Sequence, residues 1–185
     1  MTAHAAPRHK QKLLETAIRL FRRNGYAASG LNEILKISKA PKGSLYYYFP
    51  KGKEELGAAS VDAASQTVLK TLEMLEGETT TARDFITRYC TLLGKWIEMS
   101  GYRDGCPIST ILLEMSPASP LITQAGEQAF ADWKAVLHRI YLRDGLSDEA
   151  AKRRATQLMA AIQGAMLLTR VEQSTEALEA VKALA

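Results

Sequence analysis

Cysteine and histidine are scarce in this chain, which has two and three of them in 185 residues, and each scarcity removes a class of protein. Cys90 and Cys106 both lie in apolar stretches and cannot staple a small secreted scaffold, so buried, reduced thiols in a cytoplasmic protein are expected. The histidines are His4 and His9 near the N-terminus and His138 alone on a helical stretch, which offer neither a metal cluster nor a nucleophile-base pair. No Gly-rich phosphate loop follows a strand pattern, and the carboxylates sit mostly on polar helical faces. The constellation that catalysis requires is therefore missing, and no cofactor or metal is expected. No apolar run approaches the ~20 residues of a membrane span, and the first residues lack the apolar core of a signal peptide. Period-two alternation, internal repeats and low-complexity tracts are also lacking, which excludes sheets and solenoids.

What is present is charge, unevenly placed. Residues 1–56 carry 11 Lys/Arg against 4 Asp/Glu, whereas the remainder carries 13 against 16. A basic head on an acidic body points to a polyanionic partner for the head alone.

The apolar spacing predicts helices throughout. Leu13, Leu14, Ala17, Ile18, Leu20 and Phe21 form the apolar stripe of a first helix from Arg8 to Asn24, and Gly25 suits the left-handed residue that follows a helix end. Ser29 or Gly30 starts a short second helix through Leu31, Ile34, Leu35 and Ile37. Ser38-Lys39-Ala40 forms a tight turn, and Pro41 opens a third helix to Tyr48. Two short helices joined by such a turn and stacked on a longer one describe a helix-turn-helix. A fourth helix is expected from Lys53 to about Glu76, with the clearest break of the chain at Gly77 to Thr81. Further helices are expected near 82–100, 105–115, 119–143, 148–172 and 175–184, separated by Gly101, Ser116-Pro117 and Asp144-Gly145-Leu146-Ser147. The fold class is all-α.

The stretch Lys39-Ala-Pro-Lys-Gly-Ser-Leu-Tyr-Tyr-Tyr-Phe-Pro-Lys-Gly-Lys-Glu-Glu-Leu56 carries the chemistry. Lys42 and Ser44 stand at the N-terminal end of the third helix, where side chains reach base edges in a major groove, and Gly43 lets the backbone come close. Tyr46, Tyr47 and Tyr48 offer hydroxyls to phosphates and ring faces to thymine methyls or sugars. Consecutive helical residues point about 100° apart, so three tyrosines cannot share one buried face. Leu45 and Phe49, four apart, are expected to face inward.

With Phe21-Arg-Arg-Asn-Gly-Tyr26 and Ile34 upstream, and Lys53-Glu-Glu-Leu56 following, this stretch resembles the N-terminal signature of the TetR family of regulators. The resemblance implies base contacts from Asn32, Lys42, Gly43 and Tyr47, and phosphate contacts from Ser29, Ser44, Tyr46, Tyr48 and Lys53. The chain departs from the family pattern with Tyr48 in place of histidine, Lys39 in place of glycine, and a slightly long Pro50-Lys51-Gly52 before the lysine. The Ala-Pro-Lys-Gly-Ser-Leu-Tyr-Tyr form, Gly105-Cys-Pro-Ile108, Leu113-Glu114 and Ser174-Thr-Glu-Ala-Leu178 look most like the LmrA-like branch. The domains expected are a helix-turn-helix DNA-binding domain over 1–52 and a larger helical effector-binding and dimerisation domain over 53–185.

In that second part, Leu158 to Leu168 is apolar at every position except Gln163. A helix apolar all round is buried on several sides, which suggests one face on the domain core and another on a second subunit. Leu158, Ala161, Ile162, Gly164, Ala165 and Leu168 are the expected homodimer seam, and the resemblance implies a four-helix bundle there. Trp96, Met99, Cys106, Ile108, Ile111, Leu112, Met115, Phe130, Trp133 and Met166 suit either an ordinary core or an adaptable cavity. The resemblance implies a cavity, for a small apolar or aromatic effector. The function expected is a ligand-responsive repressor on double-stranded operator DNA. A helix-turn-helix protein without an effector is the alternative, and redox sensing through Cys90 or Cys106 ranks below ligand sensing.

Overall fold

The structure, a computed structural model, describes residues 5–184. Among these, every regular element is a helix: α1 (Ala5–Asn24), α2 (Leu31–Ser38), α3 (Lys42–Tyr48), α4 (Lys53–Glu78), α5 (Ala82–Met99), α6 (Ser109–Met115), α7 (Pro120–Arg143), α8 (Asp148–Glu172) and α9 (Glu176–Lys182). His4 lies outside the described residues. Several boundaries follow from local chemistry. Gly25 at φ +86° ends α1, in the left-handed region that a Cβ disfavours. Thr81 caps α5 by accepting from the Asp84 N–H at 3.2 Å, and Ser147 caps α8 by accepting from the Ala150 N–H at 3.4 Å.

Of the boundaries that differ from expectation, two have a local cause. α4 runs through Gly77 to Glu78, because a single glycine weakens a helix by only about 1 kcal/mol relative to alanine and neighbouring turns carry it. The break comes instead at the threonines, where Thr79 turns its hydroxyl back to the Leu75 carbonyl at 2.7 Å. α6 begins at Ser109 rather than 105, since Pro107 biases the residue before it away from helical geometry.

The helices pack as two compact units. The first unit takes the chain up to Gln66 together with Pro107–Ala129, so α6 and the start of α7 pack with the head. Its buried side chains include Leu13, Ala17, Phe21, Ile34, Leu45, Phe49, Leu56, Ile108, Ile111 and Ile122. Thr67–Cys106 and Phe130 onward form the second unit, with Phe85, Ile86, Leu93, Ile97, Val136, Leu137, Leu158, Ile162, Leu178 and Val181 buried. Within it Arg139 forks onto Glu76 with bonds of 2.9 and 2.6 Å, and the Asp144 carboxylate accepts from the Ala82 N–H at 2.8 Å.

Candidate nucleic-acid interface

α2 and α3 are joined by the turn Lys39-Ala40-Pro41. Lys39 takes φ +53°, the left-handed conformation that ends α2, at a cost of order 1 kcal/mol for a residue with a Cβ. Pro41 then has φ −60° and leads directly into α3. Leu45 and Phe49, at 0% and 1% exposure, anchor one side of α3 in the core of the first unit. That anchoring decides what the other side presents. Lys42 with Tyr46, and Gly43 with Tyr47, are pairs four residues apart and share the outward face.

The expected base-contacting residues are all at the surface: Asn32 on α2, and Lys42, Gly43 and Tyr47 on α3, with Tyr47 76% exposed. Of the expected phosphate contacts, Tyr46 is exposed, while Ser44 and Tyr48 are half-buried. Tyr48 meets the Tyr47 ring edge-to-face at 4.9 Å, a contact that steadies the exposed ring. Residues 31–51 hold Lys36, Lys39, Lys42 and Lys51 against Glu33 as the sole acid, so this stretch is basic. Gly43 adds a separate indication. A Cβ built there meets nothing within 4 Å and the backbone is not left-handed, so the fold itself does not require glycine at this exposed helical position.

Two expected phosphate contacts stand elsewhere. Ser29 is fully buried, with its hydroxyl donating to the Gly25 carbonyl at 2.8 Å. It closes the α1–α2 loop and is not part of the exposed group, a role that local Ser hydrogen bonding makes common and that sequence spacing does not separate from surface exposure. Lys53 is half-buried, its ammonium donating to the Ala27 carbonyl at 3.3 Å and lying 4.4 Å from the centre of the Tyr26 ring. Burial lowers its pKa, and the Glu114 carboxylate opposes that shift.

The expected seam on α8 divides between two faces. Leu158, Ile162 and Ala165 are buried within the subunit, whereas Ala161 is half-buried and Gly164 and Leu168 are exposed. An eleven-residue apolar run hides this split, because every helical face of it reads alike. The outward stripe instead runs Ala160, Gly164, Leu167, Leu168 and Val171, with Leu167 and Val171 at 63% and 71% exposure. The steps of three and four residues from Gly164 to Val171 are the signal that locates it.

The ten expected pocket residues also divide. Ile108, Ile111, Leu112 and Met115 belong to the first unit, and Trp96, Met99, Cys106, Phe130, Trp133 and Met166 to the second. Met99 is 85% exposed and Trp96 43%, so neither lines an interior. Met99 lies off the stripe of α5 that buries Tyr89, Leu93 and Ile97, whereas Trp96 continues that stripe near the end of the helix, where it is left half uncovered. Cys106, Ile108, Ile111, Trp133 and Met166 are buried, Leu112, Met115 and Phe130 are half-buried, and Phe130 meets Trp133 edge-to-face at 5.6 Å. Both thiols are buried, and burial pushes that of Cys90 up to about 11, leaving little reactive thiolate at neutral pH. Among the described residues no group of three or more His, Cys, Asp or Glu could hold a metal ion. No helix of the described residues is long and apolar enough to cross a membrane.

Comparison with known proteins agrees with this geometry. Residues 13–59 match the family described as bacterial regulatory proteins, tetR family. Residues 82–184 match the family described as transcriptional regulator LmrA/YxaF-like, C-terminal domain. The chain is 32% identical to the HTH-type transcriptional regulator LmrA of Bacillus subtilis, over 86% of this chain and 85% of that protein. Reduced NemR of Escherichia coli is similar in structure with a TM-score of 0.77 at 27% identity, covering 95% of this chain and 94% of that one. Regulatory protein TetR from Rhodobacter sphaeroides has a TM-score of 0.84 at 21% identity, covering 94% and 95%, a likeness of fold.

Proposed function

Because the chain belongs to the TetR family of bacterial transcriptional regulators, with an LmrA/YxaF-like C-terminal domain, and is not an enzyme, we propose that it is a repressor. It binds a palindromic operator as a homodimer and leaves it when a small apolar effector binds. The observation that carries the reading is the outward face of α3. Lys42, Gly43, Tyr46 and Tyr47 stand together on a helix that Leu45 and Phe49 hold in the core. A lysine at the start of such a helix reaches guanine acceptors, a tyrosine ring packs on thymine methyls, and a bare glycine admits the groove wall.

The homodimer reading rests on the stripe Gly164, Leu167, Leu168 and Val171, which a single subunit leaves exposed. Two such subunits read half-sites about 34–36 Å apart, one turn of DNA, or somewhat wider. The effector reading is supported by the bulky, polarisable Phe130, Trp133 and Met166 in the second unit. Release by tenfold requires about 1.4 kcal/mol of coupling, and DNA then weakens effector binding by the same factor.

The test is a titration at fixed salt against random DNA and against the DNA beside the chain's own gene. A regulator holds one site at least about 1,000-fold tighter than random sequence. Lys42→Ala and Tyr47→Ala are expected to cost about 1–3 kcal/mol each at that site while random DNA binds as before. Selectivity that survives both changes refutes the assignment of α3. Effector candidates are followed by tryptophan fluorescence with and without operator, and equal affinity in both titrations disqualifies a compound as an inducer.

A further inference from the structure

The loop between α1 and α2 is held by a side chain far away in sequence. The Glu114 carboxylate, on α6, accepts from the Tyr26 N–H through Oε1 and from the Ala27 N–H through Oε2, both at 2.7 Å. Charge-assisted bonds to two successive amides grip the loop by its donors, and are about twice as strong as neutral ones. The acceptor side is held as well, by Lys53 on the Ala27 carbonyl. The Tyr26 ring lies between the Lys53 ammonium and the bare backbone of Gly57, where an added Cβ would come within 2.8 Å of it. A Cβ at Gly25 would run into the Glu114 carboxylate, so this glycine serves both a left-handed turn and the approach of α6.

The grip bears directly on the DNA-reading face. From Ala27 the chain reaches Ser29, which closes the loop onto Gly25, and then Gly30, the residue that starts α2 and accepts from the Ile34 N–H at 3.1 Å. Fixing Tyr26 and Ala27 therefore fixes where α2 begins, and with it Asn32 and the turn into α3. We propose that Glu114 is a positioning residue for operator recognition: its carboxylate clasps the α1–α2 loop and sets the helix-turn-helix against α6. This rests on the reading of the chain as an operator-binding regulator. The recognition helix touches the bases, and Glu114 decides how it is presented.

Electrostatics and positioning predict opposite signs here, which makes the clasp testable. Removing a carboxylate from a basic head should by charge alone tighten binding to every DNA. Losing the clasp should weaken the operator selectively. In the full-length protein at fixed salt, Glu114→Ala is expected to bind operator about tenfold or more weakly, with random DNA unchanged or bound more tightly. Glu114→Asp, which keeps two acceptor oxygens, is expected to recover part of the loss. Glu114→Gln, whose NH2 cannot accept from the second amide, is expected to behave like alanine. Amide exchange reads the clasp directly, through faster exchange at Tyr26 and Ala27 in the alanine and glutamine variants. Leu113→Ala removes an exposed neighbour that does not bond to the loop and should change nothing.

Operator affinity equal to wild type in Glu114→Ala, or an equal loss in Leu113→Ala, overturns the proposal. If Glu114→Ala fails to fold, the near-isosteric glutamine variant decides by its ratio of operator to random affinity. A wild-type chain without site preference defeats the regulator reading itself. A selective wild type with an indifferent Glu114→Ala defeats the clasp alone.

Discussion

Gly43→Ala should push stability and function in opposite directions. Glycine in a helix interior is about 0.8–1.0 kcal/mol less favourable than alanine. Gly43 is the second residue of α3, where the helix constrains the backbone less fully, so the gain expected is about 0.5 kcal/mol. Nothing offsets it within the subunit, since the added methyl meets nothing within 4 Å. For a chain of this length that corresponds to a rise in Tm of roughly 1–2 °C. On DNA the same methyl enters a packed interface, where overfilling costs about 1–3 kcal/mol, or roughly 5- to 150-fold in affinity. Thermal unfolding followed by circular dichroism and operator binding followed by fluorescence anisotropy measure the two effects on one sample. A fall in Tm would refute the local argument that the position is unstrained and open. A rise in Tm with operator affinity intact would refute the argument that this glycine exists for close approach to DNA.

Two further outcomes are expected. A Cβ added at Gly164 faces open space, so the monomer fold of Gly164→Leu should survive while the overfilled seam lowers dimer affinity. Light scattering over a dilution series checks this, and a dimer as tight as wild type would move the seam elsewhere. Cys90, with its thiol pushed up to about 11 from an ordinary 9.0, should react with a thiolate-selective reagent at pH 8 on the order of 100-fold more slowly than an ordinary cysteine. Because the native thiol holds its proton more tightly than the unfolded one, the contribution of Cys90 to stability is present below pH 9 and is lost as pH rises from about 9 to 11. Rapid native labelling at pH 8 would contradict that burial.

Local features of this fold were legible in the sequence and long-range ones were not. Gly25 and the Ser147 cap each act within a few residues and stand where spacing and turn chemistry indicate, while the turn expected at Ser38-Lys39-Ala40 is shifted by one residue, to Lys39-Ala40-Pro41. Leu45 and Phe49 were readable as inward-facing because a gap of four places them on one side of a helix. Ser29 was not, since surface and buried serines look alike until the partner carbonyl of Gly25 is known. On α8 the uniform apolar run lacks the polar marks that separate an inner from an outer face, so Leu158, Ile162 and Ala165, buried within the subunit, read in the sequence like the exposed Leu167 and Val171. The bulk and helical setting of Met99 and Trp96 suggest an interior position, yet both are exposed near the end of α5. The Glu114 clasp joins residues 87 and 88 positions apart, a separation at which no local pattern carries information.

The first unit is discontinuous in the chain, closed by residues 107–129 after an excursion of some forty residues. Time therefore enters the assembly of the DNA-reading head. Glu114 leaves the ribosome 87 residues after Ala27, roughly 4–17 s later at bacterial rates of synthesis. During that interval α1, α2 and α3 exist without the helix that packs beside α1, and the amides of Tyr26 and Ala27 face water. A severed N-terminal fragment remains in that unfinished state for good. In the growing chain the clasp on the head closes late, after α6 has been made, although the residues proposed to touch the bases are among the first to emerge.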